Sequence, residues 1–371
     1  MFTFTKSLLF VVKSPVNAKT TPKVTVILTA WKEARTIPRA IISLIDPAYS
    51  GFNGSLQLIQ ISPDNKTLDA GKKAVKALKK VKKEAFAKPK LPVFTRMETE
   101  NFEFVQIKDP RKGKPHALNL AFKYITGDIV VFTDGDVYFS EGALQRLIQP
   151  LISEQSASKR DAAESPLGGV TGRPLAQNPR DGSFMDFMAN AFVYVADLYR
   201  KDISEYQDSG YYLNDFSKGF VTLSGYIYAL RKEVIDTGLK LPRKALIDDA
   251  YISAFAVSKG FGLGYVPEAT VNVKYPSTFH DYLIQRVRNI KGQRQIKELI
   301  PLEFEPTRNI FDEIRYALFP FKFINWSRPR EILYAAALYP LRIITWIAVI
   351  LMTSRFTHIA RGGWKRVEST K

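Results

Sequence analysis

Four short apolar runs, each closed by a polar loop and separated by helix-patterned stretches, decide what this 371-residue chain can fold into. Residues 24–30 (VTVILTA) form a continuous run rich in β-branched side chains, the pattern of a strand buried on both faces. Residues 56–61 (LQLIQI), 102–107 and 128–133 (DIVVFT) repeat it. Between them, 37–45, 69–86 and about 115–124 read as helices. In the second, Ala74, Val75, Leu78 and Val81 share one side and lysines the other. Strands alternating with helices at this spacing predict an α/β fold with an open, mostly parallel, doubly wound sheet. Such sheets bind ligands beyond the carboxyl ends of their strands. Further on the order is less regular: 153–166 reads as a polar surface loop, 170–172 and 220–230 as strands, and 185–199 and 249–259 as helices.

Composition narrows the chemistry. Hydrophobic residues at 46% and charged ones at 24% argue for a folded chain, and the length permits one large core or two modest ones. The absence of cysteine removes disulfides, zinc–thiolate sites, iron–sulfur clusters and thiol nucleophiles together. With only His116, His280 and His358 available, a metal must be held mainly by oxygen, which suits Mg²⁺ or Mn²⁺. The net charge of +18 predicts a polyanionic partner. Nucleic acid fits poorly as that partner, since basic residues are not interleaved with aromatics as stacking platforms require. Between Lys72 and Lys90, nine lysines face one acid, Glu84. That run is either a solvated helix face or a patch resting on anionic lipid, where each lysine contributes about 1 kcal/mol.

The C-terminal region differs in kind. Residues 332–352 are apolar apart from Tyr334, Tyr339, Arg342 and Thr345, which is enough for a tilted span of about 20 residues. Against a span, Pro340 splits the run, and a central arginine costs about 2.5–3.5 kcal/mol on insertion. A pair of short interfacial helices accommodates Arg342 as well. Residues 1–12 lack the pattern of a cleaved signal peptide, so the catalytic body is expected to be cytoplasmic and membrane-associated.

Three motifs can carry chemistry. Asp134-Gly135-Asp136 closes the fourth apolar run, where two carboxylates can reach one divalent cation; alone, Asp-Gly is also a favoured turn pair. Twenty residues earlier, the basic turn 112–115 (KGKP) opens a helix whose N-terminus suits phosphate, or is simply a solvated cap. Asp248-Asp249 opens a later helix, either as an acid–base pair or as N-capping residues, the latter being the expectation for Asp248.

Taken together and in order, these stretches resemble family 2 glycosyltransferases over about residues 24–295. The likeness rests on VTVILTAWKE (24–33), Ser62-Pro63-Asp64, Gly113-Lys114 with Ala117 and Asn119, Asp134-Gly135-Asp136, LSGYIYALRKE (223–233), Ile247-Asp248-Asp249 and QRVRN (285–289). The resemblance implies the GT-A fold, a Rossmann-like mixed, mostly parallel sheet flanked by helices, and inverting, metal-dependent transfer from a nucleoside-diphosphate sugar. A UDP-sugar is favoured, with a lipid-linked or glycan acceptor. With the apolar run at 332–352, the expected division is an N-terminal arm (1–23), a transferase domain (24–300, with a nucleotide half to 137 and an acceptor half from 138) and a membrane-associated helical tail (301–371).

Carried over by residue, Glu33 and Asp64 hold the nucleoside, Lys114 lies near the base or phosphates, and Asp134 contacts the ribose or the metal surroundings. Asp136 ligates Mg²⁺ or Mn²⁺. Asp249 is the catalytic base, its pKa raised by Asp248. Gln285, Arg286 and Arg288 serve the diphosphate or acceptor, and Gln285, Arg288 and Gly292 share a helix face that offers an open surface to the acceptor. Two departures stand out: Asn289 occupies a position where tryptophan is usual, and Ser62-Pro63-Asp64 replaces two adjacent aspartates.

Other classes compete. A sugar nucleotidyltransferase needs a glycine-rich loop after the first strand, and residues 30–34 (AWKEA) contain no glycine. A nucleic-acid binder leaves the acidic pairs unexplained. A processive polysaccharide synthase needs several membrane passes, more than the apolar run at 332–352 provides.

Overall fold

The apolar runs become the centre of a single sheet. The computed structural model describes residues 22–78, 83–84, 92–156, 165–300, 302, 315–354 and 370. Its strands are β1 (Val24–Thr29), β2 (Leu56–Ser62), β3 (Lys83–Glu84), β4 (Val93–Glu98), β5 (Phe102–Lys108), β6 (Ile129–Asp134), β7 (Tyr138–Phe139), β8 (Leu167–Ala176), β9 (Ser204–Gln207), β10 (Tyr211–Asn214), β11 (Tyr228–Arg231) and β12 (Gly262–Val273). They lie in the order β3-β4-β5-β2-β1-β6-β11-β8-β12-β10-β9, with β7 paired to β12. The block β5-β2-β1-β6 is parallel. Antiparallel β11 then joins β6 to β8, so both halves of the chain share one sheet.

Side chains alternate between two cores. Val24, Val26 and Leu28 face the helix Ile37–Ile45, while Ile27, Ile59, Val130 and Phe132 face the helices Lys114–Ala121 and Asp248–Ser258. This double burial explains why the central strands read as unbroken apolar runs.

Two elements differ from their sequence expectation. The helix expected at 69–86 is Asn65–Leu78, because the Asp64 carboxylate accepts the Thr67 amide at 2.9 Å and caps the helix four residues earlier. Val81 and most of the lysine run past 78 lie outside the described residues, as does 157–164 of the expected loop. Of the strand expected at 220–230, only Tyr228–Arg231 pairs. The stretch before it gives its hydrogen bonds elsewhere: the amides of Leu223, Ser224 and Gly225 bond Ser253 Oγ, Thr171 Oγ1 and Asp249 Oδ2.

The tail is one continuous helix, Pro329–Ser354, rather than a pair, and Pro340 falls inside it without ending it. Ala335 and Leu338 pack on Phe187, Met188 and Ala191 of the helix Phe184–Asp202 and on Tyr282 of the helix Phe279–Leu299. Arg342 lies over the rings of Phe192 and Phe319, 5.9 and 5.7 Å from their centroids, so this arginine faces the protein body. At the start of the helix the buried Glu331 accepts from Arg180 and from the Asn325 amide, both at 2.8 Å, while Arg180 also donates to the Phe323 carbonyl. These bonds hold the Glu331 carboxyl below the usual range although burial acts to raise it.

Glu331 therefore clamps the tail. Glu331→Ala should leave Arg180 without its carboxylate partner and loosen the helix, seen as faster amide exchange over 329–342 with the sheet unchanged; unaltered exchange there would refute the clamp.

Candidate active site

The carboxyl ends of β1, β2 and β6 form one rim, and Thr29 stands in register with Asp134 across β1 and β6. The Thr29 hydroxyl donates to Asp134 Oδ1. Lys114, the first residue of the helix Lys114–Ala121, enters between the two halves of the chain. Its Nζ lies 2.9 Å from Asp134 Oδ1 and 3.3 Å from Asp248 Oδ2. Burial alone would lower this ammonium, but Asp134 and Asp248 outweigh it and hold the group well above the ordinary lysine value. The helix can begin there because Gly113 takes φ +97, which a side chain disfavours.

Asp248 and Asp249 occupy the first turn of the helix Asp248–Ser258. The N-cap is Ile247 and makes no side-chain bond, so the capping expectation for Asp248 gives way to its ion pair with Lys114. Asp249 Oδ2 accepts the Gly225 amide at 2.7 Å. Burial and then the neighbouring Asp248 push the Asp249 carboxyl up to about 6, against the opposing pull of Lys114. A Cβ at Gly225 would stand 2.8 Å from that same oxygen, which explains the glycine.

The residue after Gly225 ties the two halves together. Thr133 Oγ1 donates to the Tyr226 carbonyl at 3.0 Å, and Gln285 Nε2 reaches the Tyr226 hydroxyl at 3.3 Å. Burial pushes the phenol up to about 12, with Arg288 lowering it and Asp136 raising it. Gln285, Arg288, Asp134 and Asp136 thus act on one hydroxyl. Gly292 instead packs against Ile247, where an added Cβ would fall 2.2 Å from Ile247 Cγ1. The open acceptor surface expected at Gly292 is therefore a buried helix contact.

Glu33 and Asp64 flank the same rim. Asp64 Oδ2 accepts the Lys32 amide at 2.9 Å and Oδ1 the Thr67 amide, so Asp64 organises two loops; these bonds keep its carboxyl low even though burial acts to raise it. Glu33 is buried, and its Oε2 would meet a Cβ on Gly135 at 2.5 Å, so the Asp-Gly-Asp turn sits directly on the Glu33 loop. Arg286 lies apart, over the Tyr282 ring and beside Asn289. Thr29, Gly225 and Tyr226 lie in the stretches 24–33 and 223–233 that carry the family resemblance and Thr133 precedes Asp134, but the sequence assigns none of them a role; only register across β1, β6 and the segment before β11 brings them together.

Residues 22–292 match the family described as "Glycosyltransferase like family 2". The chain belongs to that family and is a glycosyltransferase. Its fold is similar to that of the mannosyltransferase PcManGT from Pyrobaculum calidifontis, solved in complex with GDP-Man and Mn²⁺. That likeness has a TM-score of 0.54 at 18% identity and covers 91% of this chain and 88% of that one. S. aureus TarS aligns over 83% of this chain and 44% of its own, at 14% identity and a TM-score of 0.46. No curated protein is similar in sequence at a significant level. The glycosyltransferase thus has the GT-A architecture.

The donor set of this glycosyltransferase suits a divalent cation held largely by its substrate. Among the described residues no group of three or more His, Asp or Glu side chains converges as a cage. Asp134 faces Lys114 and Thr29, and Asp136 stands two residues further along the same turn. Mg²⁺ characteristically binds through one or two carboxylates together with substrate phosphates and water.

The position of Asp249 can be tested through its glycine. Gly225→Ala should displace the carboxylate and lower glycosyl transfer at least about tenfold, at a stability loss of about 1–3 kcal/mol from overpacking. Wild-type turnover in this variant would show that the Gly225–Asp249 contact is not needed.

Proposed function

We propose that this glycosyltransferase moves a sugar from a nucleoside-diphosphate donor to a hydroxyl of a lipid-linked or glycan acceptor, with inversion at the anomeric carbon. The observation that carries the reading is the Asp249 carboxyl, pushed up to about 6 and set beside the Lys114–Asp134–Asp248 cluster. A carboxylate with that pKa accepts a proton efficiently near neutral pH. In the reaction the acceptor oxygen attacks the anomeric carbon, its proton passes to Asp249, and the bond from that carbon to the diphosphate oxygen breaks as the nucleoside diphosphate leaves.

Residues of the rim take the remaining roles. Glu33 and Asp64 shape the nucleoside end, Lys114 faces the phosphates, and Asp134 orders Lys114 while presenting its free edge to the ribose. Arg288, beside Tyr226 and Asp136, adds positive charge on the leaving-group side. Asp136 would hold Mg²⁺ or Mn²⁺, which when bound would supply positive charge toward the departing diphosphate. The neighbour with a similar fold was solved with GDP-Man and Mn²⁺, so GDP stands beside UDP as the donor nucleotide.

The tail supports a membrane-associated enzyme. Pro329–Val349 is a 21-residue segment apolar and long enough to cross a bilayer, and only 22% of its most apolar window is buried. Leu333, Ile343, Ile344, Ile347 and Leu351 are each more than half exposed, a stretch that lipid would cover.

Two measurements test the reading. Calorimetry with UDP and GDP, with and without Mn²⁺, should show metal-dependent binding of one nucleotide that Asp136→Ala weakens at least about tenfold; metal-independent binding unaffected by the substitution would overturn the donor site. The pH profile of kcat/KM should fall on the acid side with a midpoint near 6, as Asp249 takes up its proton. Lys114 lowers the Asp249 pKa, so Lys114→Met should move that midpoint upward by about one unit. An unmoved limb would mean that another group titrates.

A further inference from the structure

One buried titratable group beside the acidic pair has no role in the reaction as derived so far. Tyr228 opens β11, in register with Phe132 of β6 and Thr171 of β8. Its ring stacks almost parallel on Phe132 at 4.5 Å and shares a core with Ile252 and Ala256 of the helix Asp248–Ser258. The hydroxyl is buried and has no hydrogen-bond partner among the described residues. Burial, and then the charges of Asp248, Asp249 and Asp134 in that order, hold this phenol well above the ordinary tyrosine value, so it stays an O–H that can donate. Asp248 Oδ2 is its counterpart: it too is buried and takes no hydrogen bond among the described residues, its charge being met by the Lys114 ammonium at 3.3 Å. A buried O–H without an acceptor and a buried carboxylate oxygen without a hydrogen bond each cost stability, and here the two belong to one acidic cluster.

We propose that Tyr228 is a positioning residue whose hydroxyl takes over the Asp248–Asp249 pair, donating to Asp248 Oδ2, when the Lys114 ammonium turns to the diphosphate of the sugar donor. In the ligand-free protein that one cation serves Asp134 at 2.9 Å and Asp248 at 3.3 Å. A diphosphate competes for the same ammonium with charge-assisted bonds of its own. Once Lys114 is drawn away, Asp248 and Asp249 face each other uncompensated, and Asp248 already pushes the Asp249 carboxyl up. Around Asp249 stand Asp248 on its own helix, Lys114 on the helix Lys114–Ala121, the Gly225 amide and Tyr228 on β11. Of these, Tyr228 is the side chain that can replace the lost compensation, and its ring is already held in place by Phe132. The exchange keeps Asp249 ionised while the sugar donor is bound, which is when it must accept a proton. The proposal rests on the reading of Lys114 as the residue that faces the phosphates, and it adds the group that holds the base while Lys114 is engaged.

The test compares the full chain with Tyr228→Phe, which keeps the ring and removes only the hydroxyl. Without nucleotide the variant should melt at or above the wild-type temperature, because it loses a buried hydroxyl that had no partner. In calorimetry with UDP and GDP in the presence of Mn²⁺, it should bind the preferred diphosphate about three- to tenfold more weakly, because the hydroxyl gains its partner only in the bound state. The acid-side midpoint of kcat should rise by about one pH unit, while that of kcat/KM, which reports the free enzyme with Lys114 in place, should stay within about 0.3. A lower melting temperature with unchanged nucleotide affinity would make the hydroxyl a structural group and overturn the exchange. Wild-type affinity with both midpoints unmoved would overturn it as well. Equal shifts of both midpoints would do the same, since the hydroxyl would then act on the pair before the sugar donor arrives. Failure of the wild type itself to bind either diphosphate would overturn the reading of Lys114 at the phosphates, and the exchange with it.

Discussion

The Lys114 ammonium is the interaction on which the rest of the site depends. It comes from the nucleotide half of the chain and bridges Asp134 on the same half to Asp248 on the other, at 2.9 and 3.3 Å. Without it, the carboxylates Asp134, Asp248 and Asp249 would face one another with no compensating charge. Their side chains are only partly exposed, 28% for Asp134 and 17% for Asp248, so water screens that repulsion incompletely. The ion pair does not have to add net stability to matter. What it fixes is geometry, since a partly buried cation can satisfy carboxylates from two elements only when both are in place.

Close backbone approach supplies the second constraint. Gly135, Gly225 and Gly292 each sit where a Cβ would come within 3 Å of another residue: Glu33 Oε2, Asp249 Oδ2 and Ile247 Cγ1. These contacts press the Asp-Gly-Asp turn onto the first loop, the segment before β11 onto Asp249, and the Gln285 helix onto the residue preceding the acidic pair. The side chains that meet at Tyr226 are thereby held by packed backbone, which keeps the reorganisation required when substrate binds small.

Legibility in the sequence followed the range of the interaction. The central strands read clearly because burial on both faces leaves an unbroken apolar run, and β1, β2, β5 and β6 fall within a residue or so of their expected limits. Asp134, Asp136, Asp248 and Asp249 were legible as short motifs at the ends of elements. The segment 220–227 was misread as strand because its apolar residues are buried like a strand's, while its amides bond side chains far away in sequence. Tyr226 lies in the stretch 223–233 that carries the resemblance, but its bond to Gln285, 59 residues on, has no local signature. Gly292 lay on the predicted helix face, but only packing against Ile247 reveals that this face is covered.

The tail illustrates how tertiary contact changes the meaning of composition. Arg342 and Pro340 weighed against a simple span when read alone. In the fold, Arg342 lies over two aromatic rings of the body, and Pro340 sits within a helix whose buried side is docked through Ala335 and Leu338. Thr345 and Val349 are buried as well, two turns and more beyond Leu338. The helix is docked on the catalytic body along one side through Ala335, Leu338 and Arg342, while Leu333, Ile343, Ile344 and Ile347 stay exposed. Length and apolar composition alone read this helix as a span, and only the contacts of its buried side and of Glu331 at its start reveal that it is docked on the protein.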